Sequence, residues 1–310
     1  MNEFELIKQL TGNLATNAAL VAGPGDDCAV LDMGLPNEHV LFKADAVVEG
    51  VHFTKAAPPE KVGHKALARC LSDVAAMAGR PTAALITLGL PPNYDAAYVR
   101  GIYAGLNALA RKWQVAIAGG ETTTNPGQIL ISVAVIGSVQ KARTVLRAGS
   151  KPGDALFVTG ELGGSLSGKH LDFEPRLAEG QWLAERFPIH AMIDISDGLA
   201  GDLRHLMRAA NLGAEILSRA IPISRAAKLQ ARGESSAKPP LLAALTDGED
   251  FELLFTLPGN QAVPLADAWK ERFPHVKLSC IGKMIADPGL KIRDKEGVRE
   301  LNVTGYTHFS

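Results

Sequence analysis

Cysteine is scarce in this chain: Cys28, Cys70 and Cys280 are the three in 310 residues, with no C-x-x-C pair and no ligand-like grouping. That excludes a disulfide framework and a thiolate zinc site, and it reads as buried or free thiols in a reducing compartment. Net charge is lacking too. The 32 Lys and Arg against 33 Asp and Glu leave -1, so no global positive field draws the chain to nucleic acid or an anionic membrane. No apolar run approaches the roughly 20 residues that a bilayer span needs; the stretch from Pro81 to Pro92 is too short. The N-terminus, Met1-Asn2-Glu3-Phe4-Glu5, is acidic where a signal peptide is basic, so a cytoplasmic location is expected. Short-period repeats and low-complexity tracts are missing.

What is present is an ordinary globular composition, 46% apolar and 21% charged, in a chain long enough for two domains of roughly 100–200 residues. Residues 4–10 form a short amphipathic pattern, and Gly23-Pro24-Gly25-Asp26-Asp27 is a dense turn signal before the apolar Cys28–Leu31. Val40–Val48 reads as a mostly buried strand interrupted by Lys43 and Asp45. Leu67, Leu71, Val74 and Met77 recur at three and four, which predicts a helix over Val62–Ala78. A strand over Ala83–Leu90, a helix over Tyr94–Trp113, and a strand over Val115–Ala118 that stops at Gly119-Gly120 follow. The most strand-like run is Ile129–Val139.

Gln140–Asp154 changes character, with four Lys or Arg and then Gly149 and Pro152-Gly153. It divides the chain into residues 1–140 and 141–310. Beyond it, strands are expected at Ala155–Thr159, Ala191–Ile195, Phe251–Leu257 and Lys277–Ile281. Helices are expected at Leu177–Phe187, Gly198–Ala210 and Gln261–Phe273, and a loop at Ala231–Pro240. The class is mixed α/β (α+β) in two halves.

The chemical signal is acidic residues at strand ends or in Gly-rich turns: Asp26 and Asp27, Asp45, Glu121, Asp194 and Asp197, Glu249 and Asp250, with Asp73 inside a helix. Strand ends are where α/β folds place ligands. Any one of these also reads as a turn or cap; Ser196 or Asp197 suits the N-cap of the helix after Gly198. Together they are a set of like charges that needs a cation. All are hard oxygen donors without His or Cys at ligand spacing, which favours Mg²⁺ or Ca²⁺ over zinc. An EF-hand loop fails, because Gly198 falls four residues after Asp194 and His205 stands where the loop needs Glu. Mg²⁺ held by a few carboxylates is usually completed by substrate phosphates, which points to nucleotide chemistry. Gly163-Gly164-Ser165-Leu166-Ser167-Gly168-Lys169 matches a phosphate-loop pattern but ends in His170 where Ser or Thr is required.

Nine segments in order carry a family resemblance: Gly25-Asp26-Asp27-Cys28-Ala29; Asp45 with Glu49-Gly50-Val51-His52-Phe53; Lys65–Ala68 leading to Leu71–Met77; Ala118–Thr123; Arg147 before Gly149–Asp154; Val158-Thr159-Gly160; Ile193–Leu199; Gly248–Leu253; and Gly305–Phe309. The chain resembles, from end to end, the thiamine-monophosphate kinases within the aminoimidazole-ribonucleotide-synthetase-like ATP enzymes. The resemblance implies a two-domain PurM-like fold, a homodimer pairing through the N-terminal sheets, and phosphorylation of thiamine monophosphate to thiamine diphosphate by ATP with several Mg²⁺ ions. It implies metal binding by Asp27, Asp45, Asp73, Glu121, Asp194 and Asp197, and nucleotide binding by Gly120, Glu121, Arg147 and Ser196. His52, Glu249 and Tyr306 match contacts to the thiamine phosphate, and Asp27, Asp194 and Arg147 the catalytic positions. Bare sequence leaves His52 open as a core histidine, Tyr306 as packing and Arg147 as a linker charge.

Two positions depart from the family pattern. Lys43-Ala44 stands where hydroxyl residues are usual, which removes two ligand positions and adds a cation, and Glu121 replaces an Asp. The alternatives are a relative with another acceptor (an aminoimidazole ribonucleotide synthetase, a selenophosphate synthetase or a hydrogenase-maturation dehydratase) and a non-catalytic nucleotide- or thiamine-phosphate-binding paralogue.

Overall fold

A computed structural model describes residues 3–233, 238–303 and 305–306. The first half runs α1 (Glu3–Thr11), β1 (Leu20–Ala22), β2 (Ala29–Leu31), β3 (Glu38–Val48), α2 (Pro59–Ala76), β4 (Arg80–Leu90), α3 (Ala96–Lys112), β5 (Ala116–Thr124) and β6 (Leu130–Gln140). Its strands form one sheet in the order β1-β2-β3-β6-β4-β5, antiparallel except for β4 with β5. The second half runs β7 (Ala155–Thr159), α4 (Leu177–Arg186), β8 (Ala191–Asp194), α5 (Leu199–Ala210), β9 (Gly213–Leu217), α6 (Arg225–Gly233), α7 (Pro240–Thr246), β10 (Leu253–Leu257), α8 (Ala262–Arg272), β11 (Leu278–Ile285), β12 (Leu290–Asp294) and β13 (Gly297–Glu300). Its sheet has the order β13-β12-β9-β11-β7-β10-β8. Among the described residues no helix is long and apolar enough to cross a membrane.

Helix α2 is the element on which both halves lean. Pro59 opens it, where a missing N–H costs nothing, and 13 of its 18 residues are buried, so it has no solvent face to spare. It packs on β3 and β6 of the first sheet, on α3, and on α4 and β8 of the second half. The approach to α3 brings backbones together: a Cβ on Gly63 would lie 1.9 Å from the Ile102 carbonyl oxygen, and one on Gly105 would lie 1.8 Å from that of Glu60.

Several expectations are corrected here. β5 does not stop at Gly119-Gly120 but runs to Thr124, because its parallel ladder with β4 continues to the Leu90–Thr124 pair. Gly120 is what lets it do so, since a Cβ there would lie 1.8 Å from the Ile86 carbonyl oxygen. The N-cap of α5 is Gly198, with no side-chain cap, so neither Ser196 nor Asp197 is spent on that role. β10 begins at Leu253 rather than Phe251, because Glu249 and Phe251 hold φ of 52° and 50° and break the extended run. Ala231–Gly233 ends α6 instead of opening a loop, and residues 234–237 of that loop lie outside the described residues. β1, β9, β12, β13, α6 and α7 were not foreseen.

Gly105→Ala is expected to lower stability by about 2–3 kcal/mol through overpacking at the α2–α3 crossing, read from urea unfolding. A loss below about 0.5 kcal/mol, the range of neutral surface changes, is the result that contradicts this close approach.

Candidate functional site

Three carboxylates from three separate elements meet where the halves join. Asp27 sits in the turn before β2, Asp73 on α2 and Asp194 at the end of β8. All three are buried, and one oxygen from each lies within 4.8 Å of the others. Ser72 Oγ donates to Asp194 Oδ2 at 2.6 Å, tying α2 to β8. Arg147, in the segment between the sheets, donates its backbone N–H to Asp26 Oδ1 at 2.6 Å and its Nη2 to Asp27 Oδ1 at 2.6 Å. The linker arginine is therefore part of the cluster.

Burial and mutual repulsion act on these groups in one direction. Burial, then the charges of Asp45, Asp194 and Asp27, hold the Asp73 carboxyl well above the usual carboxylate range against the pull of Lys43. Burial and the Asp27 charge push Asp194 up to about 7. Burial also opposes the charge on Lys43, yet Asp73, Asp45 and Asp27 outweigh it and raise its ammonium above the ordinary lysine value. Asp27 Oδ2 is buried with no hydrogen-bond partner. An orphaned carboxylate oxygen facing two further carboxylates is a donor set for a hard cation, and an all-oxygen set of this charge fits Mg²⁺.

Asp45 joins the edge of this cluster through Lys43, whose Nζ lies 3.5 Å from Asp45 Oδ1 and 3.0 Å from Asp73 Oδ1. Asp197 lies in a neighbouring group with Asp202 and His205, ligand atoms again within 4.8 Å. Asp202 Oδ2 accepts the Asp197 N–H at 3.1 Å, and burial with the Arg147 and Arg208 charges lowers His205 to about 4. Asp202 and His205 were missed, although their three-residue spacing on α5, just after Asp197, was available as a signal. Gly120 and Glu121 are not brought to either group. Both are exposed on β5, where Glu121 stands in register with Thr87 and accepts the Thr122 N–H on Oε1 at 3.1 Å.

His52, Glu249 and Tyr306, far apart in sequence, line one cleft together with Ser196 and Asp197. Lys65, fully buried on α2, donates to Glu249 Oε2 and to the His52 carbonyl oxygen, both at 2.6 Å. His52 Nδ1 accepts the Val48 N–H at 3.0 Å, which leaves the proton of the neutral ring on Nε2. The Tyr306 N–H donates to the Asp197 carbonyl oxygen at 2.9 Å; Thr307, His308 and Phe309 lie outside the described residues. Arg69 also lines the cleft and was missed, though it follows Lys65 and precedes Asp73 at intervals of four on one face of α2. The phosphate-loop lookalike borders the cleft through Leu166, and through His170 an adjoining pocket that shares His52 and Glu249, but it folds into two short 3₁₀ turns. Its Lys169 is committed to Glu252 Oε1 at 2.8 Å, so the P-loop reading is excluded.

A two-sheet α/β protein with a buried carboxylate cluster and a polar cleft is the class this arrangement defines. Residues 25–139 match the family "AIR synthase related protein, N-terminal domain", and residues 167–295 match "AIR synthase related protein, C-terminal domain". The thiamine-monophosphate kinase of Rhodopirellula baltica is 38% identical over 93% of this chain and 91% of its own. That of Escherichia coli strain K12 is 35% identical over 99% of this chain and 98% of its own. The solved structure of AaThiL complexed with AMPPCP and TMP superposes with a TM-score of 0.82 at 30% identity, covering 99% of this chain and 97% of that one. The chain belongs to the thiamine-monophosphate kinase family.

Removing the ammonium of Lys65 strands Glu249 at the cleft wall. Lys65→Met is expected to cost about 2–3 kcal/mol of stability, less than a fully buried pair because Glu249 keeps some solvent contact. The Lys65→Met/Glu249→Gln double variant should recover part of that loss in the same urea titration, and equal losses in both would contradict the pairing.

Proposed function

We propose that the chain transfers the terminal phosphoryl group of ATP to the phosphate of thiamine monophosphate, giving thiamine diphosphate. The observation that carries this reading is the convergence of His52, Glu249 and Tyr306 on one cleft that adjoins the Asp27–Asp73–Asp194 cluster at Ser196 and Asp197. The bound pair in the AaThiL structure, AMPPCP with TMP, supports the same assignment.

The acceptor is a phosphate monoester, whose second pKa is about 6, so it is largely ionised at pH 7 and needs no strong general base. His52 fits that requirement: its Nδ1 is occupied by the Val48 N–H, which makes it a positioning contact. Glu249, fixed by Lys65, presents a carboxylate to the cationic thiazolium ring, and Tyr306 borders the same space. Arg69 supplies the cleft's cation for the acceptor phosphate. Arg147, anchored on Asp26 and Asp27, is placed to absorb charge that develops between two repelling phosphates. Ser196, with Gly120 and Glu121 as the family pattern assigns them, serves the nucleotide. Asp27, Asp73 and Asp194 would hold Mg²⁺, with Asp197 in the neighbouring group. When bound, the metal neutralises phosphate charge.

The exposed face of the first sheet supports a homodimer. Helices α2 and α3 cover one face, while Phe42, Leu85 and Ile136 stand about half exposed on the other. Phe42 and Ala83 are both in register with Ile136, and Ala44 and Leu85 both with Ala134, which makes a continuous apolar surface. A second copy of residues 1–140 covers it, and residues 141–310 close each cleft. β6 lies between β3 and β4, so it is central in the sheet and takes part in that face without offering a free edge. A cytoplasmic setting supplies the ATP.

Purified protein with thiamine monophosphate and MgATP should form thiamine diphosphate at about 1 s⁻¹ or faster, followed by chromatography and abolished by EDTA. Asp27→Ala and Asp194→Ala should fold yet turn over about 100-fold more slowly or worse; near-normal turnover would falsify that residue's role. Leu85→Glu should convert a dimer to a monomer by light scattering, and a wild-type monomer sinks the dimer proposal.

A further inference from the structure

On β3 the residues Leu41, Lys43, Asp45 and Val47 are more buried than Phe42, Ala44 and Ala46, so they share the face that meets α2. A lysine on the core face of a sheet is costly unless its charge is met. Here it is met twice, by Asp73 Oδ1 at 3.0 Å and Asp45 Oδ1 at 3.5 Å. The other charged groups acting on Asp73 (Asp45, Asp194 and Asp27) all repel it. Lys43 is the counter-ion that Asp73 has.

We infer that the Lys43 ammonium is a resident cation standing in for a divalent ion between Asp45 and Asp73, so that the nucleotide-free cluster takes one Mg²⁺ at the Asp27–Asp73–Asp194 group rather than two. The inference rests on the metal reading of that group given above. Geometry carries it: the ammonium already stands between Asp45 Oδ1 and Asp73 Oδ1. A Mg²⁺ ion needs carboxylate oxygens at about 2.1 Å, and an ammonium already bridging the same two carboxylates blocks that approach and repels a second cation. Asp27 Oδ2, buried and unpartnered, lies outside the reach of this pairing and marks where the remaining divalent ion goes. Asp45, assigned to a metal by the family pattern, becomes the ammonium's partner. Because the ammonium is covalently attached, chelators do not remove it, and Asp73 stays neutralised in metal-free protein.

The test counts bound Mn²⁺ per chain by equilibrium dialysis in wild type, Lys43→Ser, Lys43→Arg and Asp45→Asn, without nucleotide. Ions held elsewhere contribute equally to all four, so differences decide. Lys43→Ser should bind one ion more than wild type, with electron paramagnetic resonance showing a coupled Mn²⁺ pair, and addition of Mn²⁺ should raise its melting temperature more than that of wild type. Lys43→Arg and Asp45→Asn should match the wild-type count. An unchanged count in Lys43→Ser, or the loss of one ion in Asp45→Asn, overturns the inference. The second arm decides even if Lys43→Ser does not fold. Wild-type protein that binds Mn²⁺ in this pattern but forms no thiamine diphosphate would instead refute the kinase reading and leave the cation count standing.

Discussion

The repulsion among Asp27, Asp73 and Asp194 is the constraint around which the two halves are arranged. Three carboxylates with oxygens within 4.8 Å, all removed from water, destabilise one another unless cations or protons intervene. Each comes from a different part of the chain, so the cluster exists only when β8 docks against α2 and the turn before β2 closes over both. The fold meets the cost with its own groups first: Arg147 on Asp27, Lys43 on Asp73 and Ser72 on Asp194. Those groups leave Asp27 Oδ2 buried without a hydrogen-bond partner.

Helix α2 converts that constraint into a reaction path. Lys65, Arg69 and Asp73 succeed one another at intervals of four along one face, and eight residues of helix rise about 12 Å. One end of this line fixes Glu249 at the cleft wall and the other end enters the carboxylate cluster. The helix therefore sets the separation between the cleft and the cluster. The close glycine contacts with α3 at Gly63 and Gly105 keep the helix from shifting along its own axis, and a displacement of 1 Å at such a site is felt in rate.

Much of this was legible in the sequence, for identifiable reasons. Asp27, Asp194, Asp197 and Glu249 stand at turns or strand ends, where glycine neighbours advertise a special backbone, whereas Asp45, expected at a strand end, lies inside β3 with the ladder running on to Val48. Helix α2 announced itself by apolar spacing. Arg69, Asp202 and His205 sit within helices with no turn to mark them, and only the fold shows which way they face. Sequence also cannot say which carboxylates meet: Asp27, Asp73 and Asp194 converge, while Glu121, in an equally suggestive Gly-Gly setting, lies exposed on β5 in register with Thr87. β5 itself was cut short because two consecutive glycines read as a break, when Gly120 is there to let β4 approach. β13, exposed throughout, carries no burial pattern to read.

The Gly248–Phe251 segment shows where local preference yields to the site. Glu249 and Phe251 both hold positive φ, a conformation that costs non-glycine residues about 1–3 kcal/mol each. An extended chain from Phe251 onward would have spared that cost and lengthened β10. Instead the surroundings over-determine the bend. The Glu249 N–H donates to the Ser196 carbonyl oxygen at 2.7 Å and the Phe251 N–H to that of Ile195 at 2.8 Å. The Asp250 carboxylate between them accepts the Gly163 N–H at 3.0 Å, and the Phe251 ring stacks on Phe173 with centroids 4.0 Å apart. Phe173 in turn offers its carbonyl oxygen to His64 on α2, 2.7 Å from Nε2. The strained turn is thus clamped to β8, to the glycine-rich loop and to α2 at once, and what the clamp holds in place is the Glu249 carboxylate within reach of Lys65. Strain distributed over so many partners sets the cleft's carboxylate wall at the expense of a longer strand.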